Sequence, residues 1–287
     1  MIPKVAHFFW ANASMSWMRY MTIRSFCHFN PDWDVILHSA SLDVTRKDWK
    51  SREVQEFLRG EPVEDWYPQL EKLPISFSRW TPPHRAATNP VYASDLFTWH
   101  LLGTEGGLYC DMDILFVKPM RDVLGDVTNA DMWLSLFGPV FPIGFLAGCP
   151  QNRFFADLYR FCLKLPGGSY QSFGSTAAHQ FVTTLPTYKG DKGTPEPRLF
   201  EYRLDAIHRH YGYDIDNLDE TCVYPVPWNR IERIFIEKHP STLESTFAIH
   251  WYAGSELSQS HNLTATPETL RDHDNTFSHF AKLIFDD

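Results

Sequence analysis

The chain has no run of apolar residues approaching the roughly 20 that a membrane-spanning helix requires, and its 287 residues hold no internal repeat, low-complexity tract or evident linker. Spanning helices and repeat arrays are therefore not expected. Cysteine is scarce: Cys27, Cys110, Cys149, Cys162 and Cys222 form no CxxC pair, so neither a zinc site nor a disulfide framework is signalled and reduced, mostly buried thiols are expected. Positive charge is also short. With 26 Lys plus Arg against 35 Asp plus Glu, the net charge is -9, which argues against a duplex nucleic-acid binder that must neutralise many phosphates. A nucleotide can still be held through a metal ion. Met1-Ile2-Pro3-Lys4 runs straight into a strand-like segment rather than a secretory apolar region, so the expectation is a soluble, cytoplasmic chain with no signal peptide. On that expectation the two sequons, Asn12-Ala13-Ser14 and Asn262-Leu263-Thr264, are chance matches.

What is present is apolar and aromatic in quantity, 44% and 15% respectively, enough to bury a sizeable core in one enzyme-sized domain. Val5-Ala6-His7-Phe8-Phe9-Trp10 reads as a buried first strand with Trp10 at its carboxyl end. Residues 16–28 have helical spacing, Pro31-Asp32-Trp33 turns the chain, and Asp34-Val35-Ile36-Leu37-His38 reads as a second strand, which makes a β-α-β unit. Residues 42–73 are charged and aromatic, as in a helical excursion beside the sheet. Pro90 then opens a helix with Ala93, Leu96, Phe97, His100 and Leu101 on one face, and Gly106-Gly107 ends it. Farther on, strands are expected over 132–137, 145–147 and 247–251, helices over 152–163 and 175–185, a polar loop over 186–197 and a polar segment over 255–266.

The chemistry concentrates after the strand Leu108-Tyr109-Cys110, where Asp111-Met112-Asp113 precedes the apolar run Ile114-Leu115-Phe116-Val117. Two carboxylates one residue apart on a strand end point the same way, because strand side chains alternate faces. Such a pair suits a hard cation, Mg²⁺ or Mn²⁺, that keeps positions open for phosphate oxygens. Alone, D-x-D also describes an exposed turn with two solvated acids. Its setting is more specific: Ser94-Asp95, the helix to Gly106-Gly107, Leu108-Tyr109 and the D-x-D stand in one unbroken block.

This block resembles the DXD-motif sugar-binding-region family of glycosyltransferases, relatives of fungal initiating α-1,6-mannosyltransferases, capsular polysaccharide sugar transferases and clostridial glucosylating toxins. The core of that family reads approximately S-D-x-x-R, then G-G-x-Y-x-D-x-D. Ile2-Pro3-Lys4-Val5-Ala6-His7-Phe8-Phe9-Trp10 is similar to its opening I-P-K-x-I-H-x-x-W, and Asn30-Pro31-Asp32-Trp33 to its N-P-x-W/Y turn. Gly144-Phe145-Leu146-Ala147-Gly148-Cys149-Pro150 is similar to the segment after the core. Ile249-His250-Trp251-Tyr252-Ala253-Gly254-Ser255 is similar to the closing H-x-x-x-x-S-W. Two positions depart: Thr98 stands where the family has Arg, and Glu256 where it has the closing Trp. Arg85 or His84 in the preceding loop are candidates to replace the missing cation.

The resemblance implies a single α/β domain of GT-A type, a Rossmann-like, mostly parallel sheet with helices on both sides and the nucleotide at the strands' carboxyl ends. Residues 1–120 or so would form the nucleotide-binding core and 121–287 the acceptor and closing segments. The implied reaction moves a sugar from a UDP- or GDP-sugar donor to a hydroxyl of a glycan or other acceptor, with Mn²⁺ or Mg²⁺ as cofactor and retention of configuration, as in glycan or polysaccharide synthesis. Trp10 would stack on the nucleobase, Ser94 contact the nucleoside, and Asp95 accept hydrogen bonds from donor-sugar hydroxyls. Asp111 would meet ribose and metal, Asp113 the metal, His250 would be a third ligand, and Ser255 would reach the diphosphate. Four of these residues have structural alternatives: Trp10 as an ordinary core tryptophan, Asp95 complementing a helix dipole from the first helical turn, His250 as a structural strand histidine and Ser255 as a simple turn serine. Two rival functions stay open. A haloacid-dehalogenase-like phosphatase also carries D-x-D after an apolar strand, but it wants Thr or Val where Leu115 stands. A non-catalytic nucleotide-sugar-binding relative is suggested by Thr98 and Glu256.

Overall fold

A computed structural model describes residues 1–11, 14–42, 64–84, 86–125, 129–138, 141–168, 171–190, 199–238 and 244–285. The apolar opening forms β1 (Val5–Phe9), and α1 (Trp17–Phe29) starts where the Ser16 hydroxyl accepts from Arg19 N, an N-cap that satisfies a free helix amide. Next come β2 (Asp34–Ser39), a 3-10 turn at Tyr67–Lys72 and β3 (Ser76–Arg79). α2 (Pro90–Thr104) is capped by the Asn89 side chain with Pro90 at its first position, where proline's missing N–H costs nothing. β4 (Gly107–Cys110), β5 (Ile114–Phe116), α3 (Arg121–Leu124), β6 (Met132–Leu134) and β7 (Phe145–Gly148) follow. The remaining elements are α4 (Arg153–Cys162), α5 (Ser175–Thr184), α6 (Leu199–Tyr211), β8 (Ile215–Asn217), α7 (Glu232–Phe235) and β9 (Ala248–His250). α8 (Glu256–Thr264), α9 (Pro267–Asp272) and α10 (Thr276–Phe285) close the chain.

Among the described residues, seven strands form one sheet in the order β3-β2-β1-β4-β7-β6-β8. β1–β4, β2–β3 and β6–β8 are parallel, and β7 runs against both of its neighbours. The α/β expectation with a mostly parallel sheet therefore holds. β5 pairs with β9 in a separate antiparallel ribbon, so the apolar run after the D-x-D does not continue β4. The pairing decides this, since 114–116 bond to a partner from the far end of the chain.

The chain forms two compact units, each discontinuous in sequence. One comprises Met1–His7, Pro82–Cys110 and Val127–Glu220. In it α2 packs on α4 at Gly103, where a Cβ would lie 2.7 Å from Ala156 N, and Trp99 stacks on Phe155 with ring centroids 6.1 Å apart. β4 can begin only because Gly106 and Gly107 take φ of +74° and +99°, with carbonyl and amide atoms where a side chain would go. The other unit comprises Phe8–Thr81, Asp111–Asp126 and Thr221–Asp287. Its core includes Phe26 between Phe8 and Phe116, at 5.6 and 5.0 Å, and Trp17 against Phe277.

Most differences from the sequence expectation lie in polar segments. Residues 255–266, read only as a polar segment, contain α8, because Ser255 caps an otherwise unremarkable helical stretch. α6, α9, β3 and β8 carry too little apolar periodicity to stand out, whereas α10 has a legible helical pattern, with Phe277, Phe280, Ala281 and Ile284 buried on one face. β3 is exposed at all four residues. Much of 42–73 and of the 186–197 loop, with the sequon at Asn12-Ala13, lies outside the described residues. The cysteines are free as expected, with Cys110, Cys162 and Cys222 buried. Burial pushes the Cys27 thiol up to about 12. No helix among the described residues is long and apolar enough to cross a membrane.

Candidate cation and nucleotide site

Asp111, Met112 and Asp113 do not extend β4; they form a turn between β4 and β5. Strand alternation is therefore not what makes the two carboxylates converge. The turn is set by α1, where two hydroxyls three residues apart, on one helix face, bond to its flanks. Thr22 Oγ1 donates to Met112 O at 3.0 Å, and Ser25 Oγ accepts from Phe116 N at 3.0 Å.

The third member arrives through the β5–β9 register, which pairs Ile114 with His250. The segment after β9 then wraps Asp113: Trp251 N donates to its carbonyl at 2.8 Å and Ala253 N to its Oδ2 at 2.8 Å. The other carboxylate oxygen, Oδ1, lies 3.3 Å from His250 Nε2. One ligand-type atom each from Asp111, Asp113 and His250 lies within 4.8 Å of the others. Asp113 and His250 are buried and Asp111 is half-buried.

His250 is enclosed by the rings of Tyr224 and Tyr252, at 5.2 and 4.3 Å. Burial holds its imidazole below the ordinary range; Asp113 pulls the other way, and Arg19 adds to the depression. A neutral imidazole is the form that ligates a metal. Two carboxylates and an imidazole are an acceptable donor set for Mn²⁺ and, through the oxygens, for Mg²⁺. The residues therefore fit a hard divalent cation. One group must adjust: Tyr252 N donates to His250 Nδ1 at 3.2 Å, so the ring proton is assigned to Nε2. Ligation through Nε2 moves that proton to Nδ1 and deprives the Tyr252 N–H of its acceptor. Tyr252 already sits at a φ of +50°, a conformation uncommon outside glycine.

Trp10 stands at the end of β1, as the sequence places it. Its amide donates to His38 O at 2.9 Å and its indole N–H to Ser14 O at 2.9 Å. The guanidinium of Arg19, from α1, lies 5.1 Å from the Trp10 ring centre and 5.2 Å from that of Trp251. Each such contact contributes about 0.5 to 2 kcal/mol, more as water is excluded. Only 7% of Arg19 and 6% of Trp10 is exposed. The cation beside Trp10 thus comes from α1, not from the loop before α2. A legible signal existed: Trp17-Met18-Arg19-Tyr20-Met21 puts one charge in a wholly apolar helical turn. His84 is exposed, and Arg85 lies outside the described residues.

Ser94 and Asp95 belong to the other compact unit. Ser94 Oγ shares a hydrogen bond with Tyr109 OH at 2.8 Å, and Thr98 Oγ1 bonds back to Ser94 O at 2.9 Å. Asp95 is in the second turn of α2, not the first. Both of its carboxylate oxygens lie 3.0 Å from where a Cβ on Gly174 would be, and Gly174 is the N-cap of α5. A carboxylate there complements the positive end of that helix. Ser255 also has a structural partner set: its hydroxyl caps α8 through Ser258 N at 3.1 Å and donates to Ser258 Oγ at 2.8 Å. Ser258 Oγ donates in turn to Trp251 O.

Residues 16–131 match the family described as "Glycosyltransferase sugar-binding region containing DXD motif". No curated protein matches the chain. Similar solved structures include the PaToxG glycosyltransferase, at 15% identity over 74% of this chain and 79% of that one with a TM-score of 0.45. The glycosyltransferase GlyE of Streptococcus pneumoniae TIGR4 aligns at 12% identity over 98% of this chain and 63% of its own, TM-score 0.44. The galactosyltransferase LgtC, solved with donor and acceptor sugar analogs, aligns at 14% identity over 93% and 99%, TM-score 0.39.

Proposed function

We propose that the chain is a glycosyltransferase that moves a sugar from a nucleotide-diphosphate donor to an acceptor hydroxyl with a divalent cation, in keeping with the match of residues 16–131 to a DXD-containing sugar-binding region. The observation that carries this reading is the meeting of Asp111, Asp113 and His250 within 4.8 Å. Two carboxylates brought this close repel one another unless a positive charge joins them. A divalent cation there, Mn²⁺ or Mg²⁺, would supply charge neutralisation for the departing diphosphate.

The chain's own residues divide the remaining work. Asp113 is fixed by two backbone N–H groups, so its free oxygen faces His250 at a set position. Preorganised charge of this kind needs no rearrangement when the sugar–phosphate bond breaks. Trp10 is assigned to the base on the family resemblance, which requires the base to reach a ring that is 6% exposed. Asp95, on α2, is assigned to the donor-sugar hydroxyls and Ser94 to the nucleoside. Ser255 is retained for the diphosphate only through the loop it caps. Retention of configuration follows the family resemblance. The test is hydrolysis of a panel of UDP- and GDP-sugars with Mn²⁺ or with EDTA. At least one donor should be cleaved in the presence of the cation alone; cleavage of p-nitrophenyl phosphate with no donor turned over would favour the phosphatase instead.

A further inference from the structure

Arg19 is a charged residue on a helix that is otherwise buried at this level: Trp17, Met18, Tyr20 and Met21 around it are all nearly inaccessible. A guanidinium removed from water must have its charge met. Here two indole faces meet it, Trp10 from the end of β1 and Trp251 from the residue after His250. A planar guanidinium between two rings constrains both of them, which a compact, rotatable ammonium cannot do. All three residues belong to the same compact unit. We propose that Arg19 is a positioning residue of the nucleotide site: it acts through Trp10, locking the indole to the segment that carries His250, so that a nucleobase meets a preset ring face. The base-binding half of this rests on the nucleotide-sugar reading; the ring-locking half does not.

The test uses the full chain with Arg19→Lys, which keeps the charge, and Arg19→Met, which keeps the bulk. Without any ligand, the ¹⁵N-indole resonance of Trp10, identified by its loss in Trp10→Phe, should shift and broaden in both variants, while circular dichroism stays that of the wild type. Arg19→Lys supplies the result if Arg19→Met does not fold. In titrations with UDP and GDP in Mn²⁺, the nucleotide bound by the wild type should bind about 10-fold more weakly to either variant. Trp10→Ala alone should cost about 5- to 150-fold, the range for loss of one base–aromatic stack. Adding Arg19→Met to Trp10→Ala should then cost less than a further 2-fold, because both changes act through the same ring. An unmoved Trp10 resonance, or fully additive losses, would overturn the proposal. A wild type that binds neither UDP nor GDP would instead remove the nucleotide reading, with the indole signal still deciding the role of Arg19.

Discussion

The Asp111–Asp113 turn and the Ser94-Asp95 pair stand in one block of sequence, yet the fold holds them in opposite ways. Ser94 and Asp95 meet neutral or complementary partners, a tyrosine hydroxyl and a helix N-terminus. Asp111 and Asp113 meet each other and an imidazole kept neutral by burial. In the first arrangement no like charges meet. The second places like charges together, which a fold tolerates when something outside the chain completes the site. Within one motif, then, the members that bring like charges together are the ones to read as binding a cation.

That contrast can be broken most sharply at Asp113. Asp113→Asn keeps an oxygen for the Ala253 N–H but removes the charge, and should cost about a thousandfold in donor cleavage, the rate equivalent of several kcal/mol of lost charge stabilisation, with the thermal melt little changed. Comparable residual turnover in Asp113→Asn and Ser94→Ala would dissolve the distinction. A smaller effect concerns acid. Burial lowers the His38 imidazole to about 4, and His38 O anchors the Trp10 amide. The unfolded chain therefore takes up the proton first as the pH falls. Stability is full above about 6.5, the ordinary value, and is lost as the pH drops from there toward 4, by up to about 3 kcal/mol. His38→Gln should flatten that stretch of a melting-temperature profile against pH; an unaltered slope would place the acid sensitivity elsewhere. The smallest effect is at Ser255. As the cap of α8, Ser255→Ala should cost about 1 kcal/mol of stability with nucleotide affinity within about 2-fold, whereas a direct diphosphate contact would show as a larger affinity loss.

The α/β class, the elements from β1 to α2 and the D-x-D between two apolar runs were legible because they depend on strong local signals. Apolar strands, Pro90 at a helix start and Gly106-Gly107 at its end each have one dominant physical reading. His250 was legible through its resemblance to the family's closing segment, and the β5–β9 register explains why a residue so remote in sequence can join Asp113. What was not legible was geometry made by pairing. Nothing local says that Ile114 leaves the strand before it for a partner near the carboxyl end, or that the carboxylates converge through a turn tied to Thr22 and Ser25. Arg19 was missed for a related reason: a single charge in an apolar helix gains its meaning from two tryptophans that the fold delivers from different strands. α8 was missed because its helix is announced only by the cap.

The central claim, that Asp111, Asp113 and His250 form one cation site, is tested most directly by Mn²⁺ binding followed by electron paramagnetic resonance on the wild type, Asp113→Asn and His250→Ala. The account predicts one saturable site in the wild type, lost in Asp113→Asn and weakened about 10- to 100-fold in His250→Ala, the range seen when a metal's immediate surroundings are disturbed. Equal Mn²⁺ binding by all three proteins would contradict it.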